Sequence, residues 1–258
     1  MGMKTVYISA LMSKFEPSDH SSNTSLFTQK LLMKLKQFYI LIAFAFTLPL
    51  LSSCFQVIEE ITMRNDGTGD VVLTINLSQS KTKVASVMLL DSIQGYKVPS
   101  KQKIQQELAE AVAYLKKSEG ISNVKSTVDF NNYIASVSFT FKDVANINNI
   151  TRNILAKQKI KATNTSTYSY NKAAKVFIRK YQSVATVKTE FSKLKSKDKA
   201  IFNGAIYTSI YRFDSPVTST SNPASNLSKS KKAVMLKSSI MDLINGKINV
   251  SNQIQLSK

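Results

Sequence analysis

The chain has 258 residues, with 35 lysines and arginines against 16 aspartates and glutamates, a formal net charge of +19. It carries one histidine, one cysteine, no tryptophan and seven glycines, which leaves no Cys/His set for a tetrahedral zinc site and no glycine-rich phosphate loop. Lysine supplies nearly all the positive charge, since only Arg64, Arg152, Arg179 and Arg212 are arginines. Such a field suits an anionic lipid or glycan; nucleic acid, which arginine's planar fork reads best, is not an expected partner.

Residues 1–32 contain no apolar run and read as a mis-called start or an extended leader, with Met33 as the initiator. Lys34 and Lys36 then precede a run over 38–51 that is apolar except for Thr47 and Pro49. This run is too short to cross a hydrocarbon core of about 30 Å, which takes roughly 20 helical residues. It is also apolar on every face, unlike a surface helix. A positive start, a short apolar core and small residues at its end predict a secretory signal over 33–53 that is removed.

The end of that signal, Leu51-Ser52-Ser53-Cys54, resembles the lipobox of bacterial lipoproteins. The resemblance implies that the Cys54 sulfur receives a diacylglycerol, that a peptidase cuts after Ser53, and that palmitate-type chains anchor the product in a membrane. Phe55 follows the cysteine in place of an aspartate, which by analogy with enterobacterial sorting points to the outer membrane of the cell envelope. The processed chain, 54–258, is one α+β domain of 205 residues with a net charge of +16. His20 leaves with the leader, so histidine-dependent triads and cysteine nucleophiles are excluded. No catalytic residue, metal or cofactor is expected.

Along that domain, Val57, Ile61 and Met63 alternate with polar residues, "NDGTGD" intervenes, and Val71, Leu73, Ile75 and Leu77 alternate again. Period two around Asp-Gly predicts a hairpin that begins almost at the anchor. A helix is expected over 81–93, broken by Gly95 and Pro99. Ser100 caps a clearer one over 101–117, with Ile104, Leu108, Ala111, Val112 and Leu115 on one stripe and Gly120 at its end. A second hairpin turns at Asn131-Asn132, with Val124, Val128 and Phe130 before it and Tyr133, Ala135, Val137, Phe139 and Phe141 after it. Asp143 caps a short helix carrying Ile147, Ile150 and Ile154.

Further on, strands are expected over 165–170 and 174–181 around Asn171, over 187–191 and over 205–213. The polar stretch 214–232 reads as a surface loop. Strands over 233–236 and 248–256 flank a helical turn at 240–245. The sum is an α+β fold, an antiparallel sheet of hairpins with helices on one face.

Among the acids, Asp66 and Asp70 flank a turn, Glu59 and Glu60 point to opposite faces of a strand, and Glu107 and Glu110 sit on the outer side of their helix. All are read as turn residues or solvated surface, which leaves no opposed pair for hydrolysis. Tyr207 and Tyr211 share a strand face, where core packing with the hydroxyl at the rim is the expected fate. The stretches "ITMRNDGTGDVVLTI", "VDFNNYIASVSFTFKDVANIN" and "YRFDSPV" resemble the LppM-type lipoprotein domain. That resemblance implies a curved sheet gripping a helix around an apolar ligand and supplies no catalytic residue. The function expected is a membrane-anchored, non-enzymatic envelope lipoprotein that binds or scaffolds a protein, glycan or lipid. The alternatives are a carrier of an apolar ligand and a carboxylate- or Ser/Lys-dependent envelope hydrolase.

Overall fold

The computed structural model describes residues 55–258 other than 94–95, 149, 151–152, 154–163, 184 and 200–201. These residues belong to the compact unit Ser52–Lys258.

The first hairpin forms as its alternation requires. Strand β1 (Gln56–Met63) pairs antiparallel with β2 (Gly69–Asn76), placing Met63 opposite Gly69. Asp66 closes the turn, its Oδ1 accepting from the Thr68 amide at 2.9 Å and the Thr68 hydroxyl at 2.8 Å. Those bonds hold the Asp66 carboxyl below its ordinary pKa. Gly67 takes φ +88°, which a side chain would resist. At Gly69 the requirement is space: a Cβ there would press on the Thr62 carbonyl and the Phe141 ring.

The expected helix over 81–93 is shorter, α1 (Lys81–Val87), and the chain then pairs β3 (Ser92–Ile93) with β4 (Tyr96–Lys97). Helix α1 buries no residue, and Leu89 just beyond it is 87% exposed, so no packing extends the helix. Helix α2 (Lys101–Lys116) matches its prediction, the Ser100 hydroxyl accepting from the Lys103 amide at 3.1 Å. Gly120, at φ +71°, leads into β5 (Ile121–Asp129), which pairs with β6 (Ile134–Phe141). A bulge between Ser122 and Lys125, with Asn123 at φ +51°, shifts this register. One helical turn, Val144–Ile147, follows under a reciprocal cap between Asp143 and Asn146.

Strands β7 (Asn164–Asn171) and β8 (Val176–Ser183) form the third hairpin. The strand expected over 187–191 is instead helix α3 (Ala185–Lys193). Val187 and Phe191 lie four apart, a spacing that suits one helical face as well as a strand. Then come α4 (Ser196–Lys199), β9 (Ile206–Phe213), β10 (Val217–Thr220), β11 (Ser225–Leu227), β12 (Ala233–Ser239), α5 (Ile240–Ile244) and β13 (Asn252–Leu256). Two of these, β10 and β11, occupy the stretch expected to be loop. Both are edge strands, held by backbone pairing with little apolar pattern to announce them.

The α+β class stands, and the strands divide between two larger sheets. One has the order β11-β12-β9-β1-β2-β6-β5, the other β10-β13-β8-β7. Among the described residues every pairing is antiparallel except β1 with β9, which run parallel with Gln56 opposite Ile206 and Met63 opposite Phe213. Hairpin reasoning sees only sequence neighbours and misses that pair.

Register aligns the side chains of the larger sheet into rows on its inner face. Ile61 lies between Val71 and Tyr211, with Phe139 and Val234 beyond them. One row over, Glu59 lies between Leu73 and Ser209, with Val137 beyond Leu73. The smaller sheet covers the β1–β9 side, where the Phe177 ring meets Tyr211 at 5.1 Å and Phe213 at 5.6 Å. Helix α2, with Ile147 and Ile150, covers the β2–β6 side. Of the predicted α2 stripe, Leu115 is buried, while Ile104, Leu108, Ala111 and Val112 are half-buried.

Candidate functional site

Between α2 and the sheet lies a cavity of about 240 Å³. Its floor is Ile61, Val71, Leu73, Val137 and Phe139; its roof is Ala111 and Leu115, closed at one side by Ile147 and Ile150. The remaining lining residues are Glu59 and Tyr168, which give an otherwise apolar chamber one polar wall. The pocket opens to solvent beside Leu73, which is 37% exposed, and an apolar cavity of about 150 Å³ takes up benzene, so this volume suits one short chain or a small ring system.

Behind the polar wall is a buried ion pair. Arg179 on β8 is 4% exposed and its Nη1 stands 3.5 Å from Glu59 Oε1, the Glu59 side chain being 13% exposed. Nη1 donates to the hydroxyls of Tyr207 and Tyr211, each at 2.7 Å, and Nη2 donates to Ser166 Oγ at 3.1 Å. The phenols pass the chain on: Tyr211 donates to Glu59 Oε1 at 3.2 Å, Tyr207 to Oε2 at 3.1 Å, and Tyr168 to Oε1 at 3.0 Å. The guanidinium carbon also lies 5.5–5.9 Å from the ring centres of Tyr168, Tyr181 and Tyr207.

Burial works most strongly against the Arg179 charge, yet the Glu59 carboxylate and the Tyr168, Tyr211 and Tyr207 phenols together outweigh it, and the arginine pKa rises well above its usual value. Burial, first of all, pushes the Tyr168, Tyr207 and Tyr211 phenols up as well. Removing either member of such a buried pair strands the other charge, so the cluster is held as a unit.

Tyr168 is held from behind by Asn148. Its amide donates to Asn148 Oδ1 at 2.6 Å, and its carbonyl accepts from Asn148 Nδ2 at 3.1 Å. Both bonds fix the β7 backbone where the ring enters the cavity.

Cys54, Leu51, Ser52 and Ser53, the residues predicted to carry lipidation and cleavage, lie outside the described residues. The domain starts beside them: β1 begins at Gln56, and the Phe55 carbonyl accepts from the Ile206 amide at 3.0 Å. Of the acids read as surface or turn, Asp66, Glu107 and Glu110 are exposed. Glu59 is the correction. It faces inward, because it shares strand parity with Ile61 and Met63. The tyrosine expectation is corrected too: the Tyr211 hydroxyl is turned into the cluster, with the residue 2% exposed. The signal available in the sequence was the Glu59-Glu60 pair, since alternation forces one of the two inside.

Among the described residues no group of three or more His, Cys, Asp or Glu is placed to hold a metal ion, and no helix is long and apolar enough to cross a membrane. No family model matches the chain, and no curated protein matches it. Among solved structures it is similar to the folded domain of LppM from Mycobacterium tuberculosis, determined by NMR. That match has 12% identity, covers 80% of this chain and 90% of that one, and has a TM-score of 0.41. Nothing about ligand or partner transfers across a likeness of this size.

Proposed function

We propose that the protein is a lipid-anchored, non-enzymatic binding protein of the bacterial cell envelope whose folded domain takes up an apolar ligand beneath α2. The observation that carries the reading is the apolar cavity between helix and sheet. A well-formed apolar chamber with a few convergent polar groups is the usual form of a small-ligand site. The anchor rests on the Leu51–Cys54 sequence, and the outer membrane as its location rests on Phe55. A non-catalytic role is favoured by the pairing of the acids: Glu59 with Arg179, Glu60 with Arg212, and Asp70 with Arg64. Each carboxylate is engaged by an arginine, an arrangement that uses it for structure.

The test is uptake of N-phenylnaphthylamine, whose emission rises when it leaves water. The protein binds it saturably, and Ala111→Phe, which fills the chamber from the helix side, weakens binding at least tenfold while leaving the melting transition cooperative. Binding that survives Ala111→Phe undiminished would refute the reading.

A further inference from the structure

The hydrogen bonds at the polar wall specify what kind of head group the cavity accepts. Each phenolic proton of Tyr168, Tyr207 and Tyr211 is donated to Glu59. Arg179 Nη1 and Nη2 donate to Tyr207, Tyr211 and Ser166, its buried Nε has no partner, and Arg179 is not among the lining residues. The Tyr207 and Tyr211 oxygens each accept from Arg179 as well. The Tyr168 oxygen accepts nothing among the described residues, although the residue is only 7% exposed and lines the cavity. A phenol oxygen has lone pairs to spare once its proton is placed, and Glu59, the other polar lining residue, accepts at Oε2 from Tyr207 alone; the lining side chains thus present unfilled acceptors and no free donor.

We infer that the ligand is an apolar molecule carrying a neutral hydroxyl, which donates its proton to the Tyr168 oxygen. This rests on the cavity reading above and narrows it. A carboxylate head would bring a second negative charge beside Glu59 with no donor among the lining side chains to receive it. An ammonium head would have to lose its hydration in an apolar chamber, where the only nearby carboxylate is already neutralised by Arg179. A neutral alcohol meets neither cost, and its hydroxyl supplies the Tyr168 oxygen with a donor.

The experiment displaces N-phenylnaphthylamine from the full-length protein with compounds of one chain length: n-octanol, octyl methyl ether, octanoate and octylammonium. The ether keeps the oxygen acceptor and loses the donor. One hydrogen bond of ordinary strength makes n-octanol roughly three- to tenfold tighter than the ether, and tighter than both ions. In Tyr168→Phe, which keeps the ring and the packing, the ether binds as before and the preference for n-octanol disappears. Ether and alcohol binding alike, or octanoate binding best, overturns the hydroxyl assignment while the cavity reading stands. A preference that persists in Tyr168→Phe overturns the role of that oxygen. No displacement by any of the four overturns both.

Discussion

Glu59 is a carboxylate buried in the middle of a sheet, and what makes that tolerable is a residue brought over from the other sheet. Arg179 is to Glu59 what a counter-ion is in any low-dielectric site: its removal leaves a charge that neither water nor the remaining phenols can balance. Arg179→Met is therefore expected to lower unfolding stability by about 3–5 kcal/mol, read from denaturant midpoints. The double variant with Glu59→Gln should cost less than the sum of the two singles, because the second change removes the charge that the first one stranded. The phenols give a second reading of the same cluster. Burial raises the Tyr168, Tyr207 and Tyr211 pKa values above the ordinary phenol value of 10.0. The folded state thus holds protons that the unfolded chain gives up. Their contribution to stability is complete below about pH 10 and is lost as the pH climbs toward the folded-state values. Tyrosinate absorbance should show these three groups ionising together with unfolding, after the exposed tyrosines have titrated.

At the scale of elements, α2 is both a lid and the most readable segment in the sequence. Its cap, its stripe and its stop at Gly120 were all local signals, and all formed. Ser100→Ala removes the hydroxyl that receives the Lys103 amide and is expected to cost about 1 kcal/mol, measured as a shift in the thermal midpoint. The two predicted N-terminal hairpins were equally legible, since alternation and Asp-Gly or Asn-Asn turns are short-range features. The failures share a different cause. Over α3 the two apolar residues Val187 and Phe191, four apart, satisfy both periods, so the pattern does not distinguish the helix from a strand. Strands β10 and β11 were missed because an edge strand with one buried residue, Val217, carries no pattern to find. An apolar site between sheet and helix is implied by the LppM-type resemblance and by the carrier alternative, while periodicity alone places no cavity there. Ala111 and Leu115 sit on the legible stripe, but whether that stripe docks flush or roofs a chamber depends on the sheet beneath. The Glu59–Arg179 pair was out of reach altogether, because it joins β1 to β8 across two sheets.

For the whole molecule, the anchor and the folded body are proposed to be separable. One acyl chain binds a bilayer only marginally, whereas a multiply acylated cysteine holds it firmly. Cys54→Ala is accordingly expected to abolish palmitate-analogue labelling and release the protein from the membrane fraction, with the cavity's probe uptake unchanged. Retention of label in that variant would refute the anchor. The strand that starts two residues past Cys54 also sets the order in which the body can assemble. Until β9 arrives, some 150 residues later, β1 can pair only with β2, and its far side is an open edge. An open edge invites pairing with another chain, and a charge pointing into the would-be core is one of the devices that discourages it. Glu59 stands on that edge, so the carboxylate that Arg179 neutralises in the finished domain guards the incomplete one against its neighbours.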